Sequence, residues 1–211
     1  LAKRLIQRFT TSNPSPAYVR RVATAFNNNG RGIRGDLRAV IRAILLDPEA
    51  RNFTTVTAKK REPYLTLMQL AKTFDARTVS GKYPSATYMY DYMLQEPYES
   101  PSVFNFYQPA YRPSGEMTDQ NLMGPEFQIM TAVTAHDHMN ILRKFIHDQL
   151  ARWGADSQDQ IRLKLDEFVA LAGRSHLMVH RMANRVLDRR LSPVSSRIIR
   201  QAVGQIPTTK K

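Results

Sequence analysis

Apolar residues recur along this chain at steps of three and four, the spacing that puts them on one side of a helix. Val19, Val22, Ala23 and Phe26 form one such stripe, and Leu37, Val40, Ile41, Ile44 and Leu45 form a longer one. Tyr64, Leu67, Met68 and Ala71 repeat it, as do His138, Ile141, Leu142 and Phe145. Val179, Met182, Ala183, Val186 and Leu187 carry the last. Strict alternation of apolar and polar residues, the mark of a half-buried strand, is nearly absent. The pattern predicts an all-α chain.

The helix starts share one device. Ser15-Pro16, Ser100-Pro101 and Ser192-Pro193 each place a capping hydroxyl before a proline whose fixed φ suits the first turn. Glu62-Pro63 and Gly124-Pro125 also put proline first, Ser157 with Gln160 reads as a capping box, and Asn29-Gly30 and Gly173 read as stops. These signals predict helices over 1–9, 16–28, 36–46, 63–76, 86–95, 101–107, 125–150, 158–172, 176–190 and 193–203. Residues 77–85 and 108–124 read as loops. The second is long for a structureless connection, which points to an ordered or functional loop. The expected architecture is an irregular multi-helix bundle with long Pro- and Tyr-rich ordered loops. It reads as a single domain over 1–211, with a basic helical part at 1–76, an aromatic and proline-rich part at 77–124, and a long helix plus basic C-terminal helices at 125–211.

At 211 residues and 42% apolar content the chain is long enough to bury a core. No run of about 18 apolar residues occurs, so no transmembrane segment is predicted. Leu1 opens into LAKRLIQRF, a helix already under way, with no signal peptide, as expected of a piece starting inside a longer protein. The absence of cysteine excludes disulfides, thiolate catalysis and cysteine-bound metal. Net charge is +13 and unevenly spread: residues 1–61 carry 13 Lys/Arg against 3 Asp/Glu, residues 62–142 carry 4 against 9, and residues 143–211 carry 14 against 6. Two basic flanks around an acidic centre are consistent with solvated helix faces balanced within one fold. The alternative is a contact with something anionic, whether nucleic acid, acidic lipid headgroups, an acidic polysaccharide or an acidic partner.

Seven of the nine tyrosines lie between Tyr83 and Tyr111, joined by Phe104 and Phe106. Such a cluster is either a proline-rich crossover plugged onto the core or a stacking platform for sugars or bases, with Tyr98, Phe104, Phe106 and Tyr107 as the contacting rings. Residues 83–111 contain no lysine or arginine, which counts against nucleic acid and leaves a neutral sugar unopposed. Arg31 and Arg34, in the glycine-punctuated linker before Asp36, and Arg61 are the candidate anion contacts. For catalysis, Glu96, Glu99 and Glu126 are the candidate acid and base, with Asp91, Glu116 and Asp119 nearby. His138 is in phase with the core stripe, His136 and Asp137 fall outside it, and His176 and His180 lack the intervening Glu of a metalloprotease helix. No metal site and no cofactor are assigned.

Three stretches combine into a recognisable order: RGIRGDLRAVIRAILLDPEAR at 31–51, KKREPYLTL at 59–67, and EPYESPSVFNFYQPAYRPSGEMTDQNLMGPEFQ at 96–128. With LIQRF at 5–9, SNPSPAYVRRVATAF at 12–26 and Leu171-Ala172-Gly173-Arg174, they resemble the bacterial "domain of unknown function 1800" family over almost the whole chain. Thr57-Ala58-Lys59-Lys60 departs from the family's Phe-Gly-Lys, and Ser175 to Arg190 reads as an extension. The resemblance implies the C-terminal half of an exported protein, periplasmic or extracellular, with an exported sulfatase-like neighbour as a plausible protein partner. It defines no catalytic residue.

The expected function is non-catalytic: a binding or scaffold module that contacts a partner protein or a surface polymer. The alternatives are a hydrolase acting on a polymer through carboxylates in 91–126 and a nucleic-acid-associated helical protein. Two local expectations follow. Arg61 should bridge acidic groups of 96–126. Ser100 should cap a helix begun by Pro101, with Val103 and one of Phe104 and Phe106 in the core and the other ring beside Tyr107 on the surface.

Overall fold

The computed structural model describes residues 1–52, 59–83, 92–147, 157–187 and 191–207. Among them are ten α-helices, two short 3-10 turns and a lone antiparallel bridge between Arg77 and Arg162, so the fold is all-α. Contacts group the chain into two compact units, Leu1–Glu62 with Met93–Asp137, and Pro63–Tyr92 with His138–Lys211. The predicted helix at 86–95 lies mostly outside the described residues.

The first unit is founded on α1 (Ala2–Phe9), α2 (Pro16–Asn27), α3 (Leu37–Leu45) and α4 (Pro48–Arg51). The stripes predicted on α2 and α3 meet α1: Ala2, Ile6, Tyr18, Val22, Val40 and Ile44 form one buried cluster. Burying each such aliphatic side chain contributes about 1.5–3 kcal/mol. The Tyr18 hydroxyl donates to the Ile44 carbonyl at 2.7 Å, satisfying a phenol inside this core. Caps fix the helix ends. Ser15 accepts from the Tyr18 N–H, Asp36 from those of Arg38 and Ala39, and Asp47 from that of Glu49. Arg21 grips the Asp47 carboxylate at 2.6 and 2.8 Å, tying the start of α4 to α2.

The rest of this unit, 93–137, is mostly irregular. The 101–107 helix does not form. The Ser102 hydroxyl accepts from the Phe104 N–H and Asn105 adopts φ 72°, so local side-chain bonds replace the helical ladder. Val103 is 95% exposed and Phe104 exposed, Phe106 is half-buried, and Tyr107 is the ring that goes inside, correcting the expected order. The long loop at 108–124 carries a single turn, α6 (Glu116–Asp119). Gly124 follows it in a tight place, where a Cβ would sit 2.8 Å from a Phe127 ring carbon. The expected helix at 125–150 is broken into a 3-10 turn at Pro125–Ile129 and α7 (Ala132–Ile146). Thr134 donates its hydroxyl to the Ile129 carbonyl, and Thr131 accepts from the Thr134 N–H, which resets the helix start. Pro125, Glu126 and Ile129 are buried by this turn.

The second unit contains α5 (Pro63–Thr73), the C-terminal part of α7, α8 (Asp166–Val169), α9 (Ser175–Val186) and α10 (Pro193–Gly204). Leu67, Phe74, Ile141, Phe145, Ile161, Phe168 and Val179 are its buried apolar residues. Phe74 and Phe168 meet edge to face at 5.7 Å. Only four residues of the expected 158–172 helix are α-helical, apart from a 3-10 turn at Ser157–Asp159. The Arg162 backbone instead exchanges bonds with Arg77 at 2.8 and 2.9 Å, and the Lys164 N–H donates to the Phe74 carbonyl. Long-range backbone pairing here overrides helical periodicity. Among the described residues no helix is long and apolar enough to cross a membrane.

Candidate functional site

The candidate site lies in the first unit, where α1 meets the segments 59–62, 100–109 and 123–126. Gln7 is buried on α1 and donates to the Ser12 carbonyl at 3.1 Å. Asn13 holds Met123 through both side-chain amide atoms, accepting from its N–H at 2.8 Å and donating to its carbonyl at 2.9 Å. These bonds dock the turn that precedes Glu126 against the end of α1.

Glu62 is the hub. Its carboxylate is ion-paired to Arg8, and it accepts from the Gln95 amide at 2.7 Å and the Asn105 amide at 3.1 Å. The left-handed backbone at Asn105, a conformation asparagine tolerates better than most side chains, accompanies this reach. Arg8 also donates to the Tyr107 hydroxyl at 3.0 Å. Burial acts to raise the Glu62 pKa, but the Gln95 bond, the Arg8 charge and the Tyr107 hydroxyl together outweigh it, leaving the carboxyl below its usual range. Tyr107 is pushed well up, first by burial and then by the negative charges of Glu62 and Glu126. At neutral pH the hub is an ionised carboxylate, a neutral phenol and a guanidinium.

Beside it stands a second pair. Lys59 Nζ lies 2.6 Å from Glu126 Oε1 and donates to the Gln7 carbonyl at 2.7 Å. Glu126 is 0% exposed, and neither of its carboxylate oxygens takes a hydrogen bond among the described residues. Both networks border a cavity of about 540 Å³, lined on its polar side by Arg4, Arg8, Lys59 and Glu126 and on its apolar side by Val103, Phe104, Tyr107 and two prolines. That size falls within the usual range for small-ligand pockets, about 300–1,000 Å³.

Of the residues expected to act, the cavity gathers Glu126, Tyr107 and Phe104. Glu96 is half-buried and Glu99 exposed, and neither lines it. Tyr98 is fully exposed and Phe106 half-buried, also outside the lining. Arg61 is exposed and makes no ion pair among the described residues. The bridge expected of it, to an acidic group of 96–126, is made instead by Lys59 to Glu126, while Arg8 pairs with the buried Glu62 that follows Arg61. Arg31 and Arg34 are exposed on their linker, with Arg34 over the Phe26 ring at 5.8 Å. Asp91 lies outside the described residues. His136, His176 and His180 are exposed and His138 is buried.

Arg4, Gln7, Arg8, Lys59 and Asn105 were not singled out from sequence. Asn105 stands inside the SPSVFNFY run, and Glu62 inside Arg-Glu-Pro, so the quoted stretches were the available signal for both. Arg4, Gln7 and Arg8 look like the polar face of an ordinary amphipathic helix.

Residues 1–211 match a family described as protein of unknown function (DUF1800). No curated protein and no solved structure matches the chain.

Proposed function

The chain belongs to the DUF1800 family of proteins of unknown function, and for this member we propose a non-catalytic binding module that holds a segment of a surface polymer in the cavity of its first unit. The observation that carries this is the composition of that cavity, whose lining combines charged and amide side chains with the exposed apolar Val103 and Phe104. Hydroxyl-rich polymers are held by this combination, with polar atoms fixing orientation and apolar faces covering sugar C–H groups.

The carboxylates favour binding over hydrolysis. A hydrolase that works through two carboxyls needs one of them held protonated as the acid. Glu62 is held ionised, and each of Glu62 and Glu126 is paired with its own cation. A surface polymer would be met outside the cytoplasm, in keeping with the exported location that the family resemblance implies.

The test is titration of the protein with soluble oligosaccharides from bacterial envelope material, alongside Val103→Asp and Phe104→Ala. Saturable binding that both variants weaken while the unfolding midpoint stays put supports the proposal. Release of reducing ends on mixing would overturn it in favour of the hydrolase. Capture of the exported sulfatase-like neighbour with no glycan binding would replace the polymer by a protein partner, and binding to mixed-sequence nucleic acid alone would replace it by nucleic acid.

A further inference from the structure

We infer that the unit the cavity prefers is an acidic sugar, a uronate whose neighbouring hydroxyls donate to Glu126 while its carboxylate is held by Arg4; the inference rests on the polymer-binding function proposed above.

Glu126 carries the first half. Its carboxylate is withdrawn from water and faces Lys59, yet neither oxygen takes a hydrogen bond among the described residues. Buried carboxylates are ordinarily supplied with several donors, because a desolvated acceptor left empty is costly. Glu62, three residues after Lys59 in the chain, shows the filled version, with donors from Arg8, Gln95 and Asn105. Beyond the Lys59 ammonium at 2.6 Å, Glu126 lacks donors, and it lines a cavity a ligand can enter. The missing donor need not be a cation, since Lys59 already supplies the counter-charge. Neutral hydroxyls satisfy the oxygens without adding charge, and two on adjacent ring carbons can address both.

Arg4 carries the second half. Three cations line the cavity, and two of them are matched: Arg8 by Glu62 and Lys59 by Glu126. Arg4 donates to the Gln7 side-chain carbonyl at 3.0 Å and has no ion pair among the described residues. Its guanidinium has donors to spare in the fork geometry that grips a carboxylate through two parallel bonds. One unmatched positive charge and one donor-poor carboxylate in the same cavity call for a ligand with a single anionic group and several hydroxyls. The Tyr107 and Phe104 rings and Pro125 offer the apolar surface for its ring face. A basic peptide would meet an excess of cations, and a nucleic acid would bring more phosphate charge than Arg4 alone can match.

The experiment is calorimetric titration of the whole chain with oligogalacturonate, neutral dextran oligomers of similar length, and dextran sulfate. Oligogalacturonate should bind at least about tenfold more tightly than neutral dextran, the discrimination of one charged hydrogen-bonded group. Arg4→Gln, on an exposed residue, should erase that preference, bringing the acidic oligomer down to the affinity of the neutral one. Glu126→Gln should weaken both sugars. Equal affinity for the neutral and acidic polymers, a preference for dextran sulfate over the uronate, or an acidic preference that survives Arg4→Gln, overturns the uronate assignment and leaves the polymer-binding function standing. Absence of binding to every glycan removes both.

Discussion

Asn13 and Met123 are joined by two reciprocal hydrogen bonds, the Asn13 amide donating to the Met123 carbonyl at 2.9 Å and its oxygen accepting from the Met123 N–H at 2.8 Å. A side-chain amide thus stands in for a paired backbone and holds the approach to Glu126 against the loop after α1. Asn13→Ala strips a partner from both backbone groups and should destabilise the first unit by about 1–3 kcal/mol in urea unfolding. Asn13→Asp keeps the acceptor and loses the donor, so it should fall between Ala and the unsubstituted protein. An unchanged midpoint for Asn13→Ala would mean that the turn is held by something else.

Glu62 makes the first unit sensitive to acid. Its folded pKa lies below the unfolded value of about 4.3, so its contribution to stability is present in full above that value. As pH falls through the folded pKa, protonation is taken up preferentially by the unfolded chain and the contribution is lost. Glu62→Gln should therefore be less stable than the unsubstituted protein at pH 7, with the gap narrowing as pH drops below about 4. Chemical denaturation at a series of pH values measures the gap; a gap independent of pH contradicts the charge network.

Tyr18 is 0% exposed, with its hydroxyl on the Ile44 carbonyl and close to the Thr10 hydroxyl at 3.2 Å. Tyr18→Phe keeps the ring and orphans a buried carbonyl, which should cost about 1–3 kcal/mol. Tyr18→Ala adds a cavity and should cost about 3–5 kcal/mol. Near-identical losses for the two variants would mean that the hydroxyl is idle.

In the second unit, Phe168 supports Phe74 edge to face and lies beneath Arg185, whose guanidinium is 5.8 Å from its ring centre. Phe168→Ala should cost about 3–5 kcal/mol. It should also raise hydrogen exchange in α9, where Arg181 and Arg185 both pair with Glu167 in the α8 turn. Retained protection of α9 would show that the ring does not anchor it.

Asp47 joins a cap to an ion pair, accepting from the Glu49 N–H and from Arg21, and Arg21 holds its carboxyl below the usual range. Asp47→Ala should lower stability by about 0.5–2 kcal/mol as a lost cap, while Asp47→Ser, which can still cap, should recover part of the loss. Thermal unfolding of both variants decides this, and no recovery with serine would assign the loss to Arg21 alone.

Local chemistry was enough to place much of this fold. The helices at Ala2–Phe9, Pro16–Asn27, Leu37–Leu45, Pro63–Thr73 and Pro193–Gly204 stand within a few residues of where apolar spacing, Ser-Pro and Asp caps put them. Those signals act over a single turn, so they are legible in one dimension. The same logic fails at Ser100 to Tyr107, where a good cap and a proline precede no helix because the Asn105 side chain is engaged by Glu62 and its backbone turns left-handed. It fails again at Arg162, whose backbone is taken by Arg77. All-α character, charge segregation and family membership were thus decided by the sequence alone. Which carboxylate meets which cation was decided only by the tertiary structure: Glu62 found Arg8 and Glu126 found Lys59, while Arg61 was left outside. Periodicity encodes the face a residue occupies, whereas a salt bridge between distant segments depends on how the chain returns, and no repeat along the sequence records that.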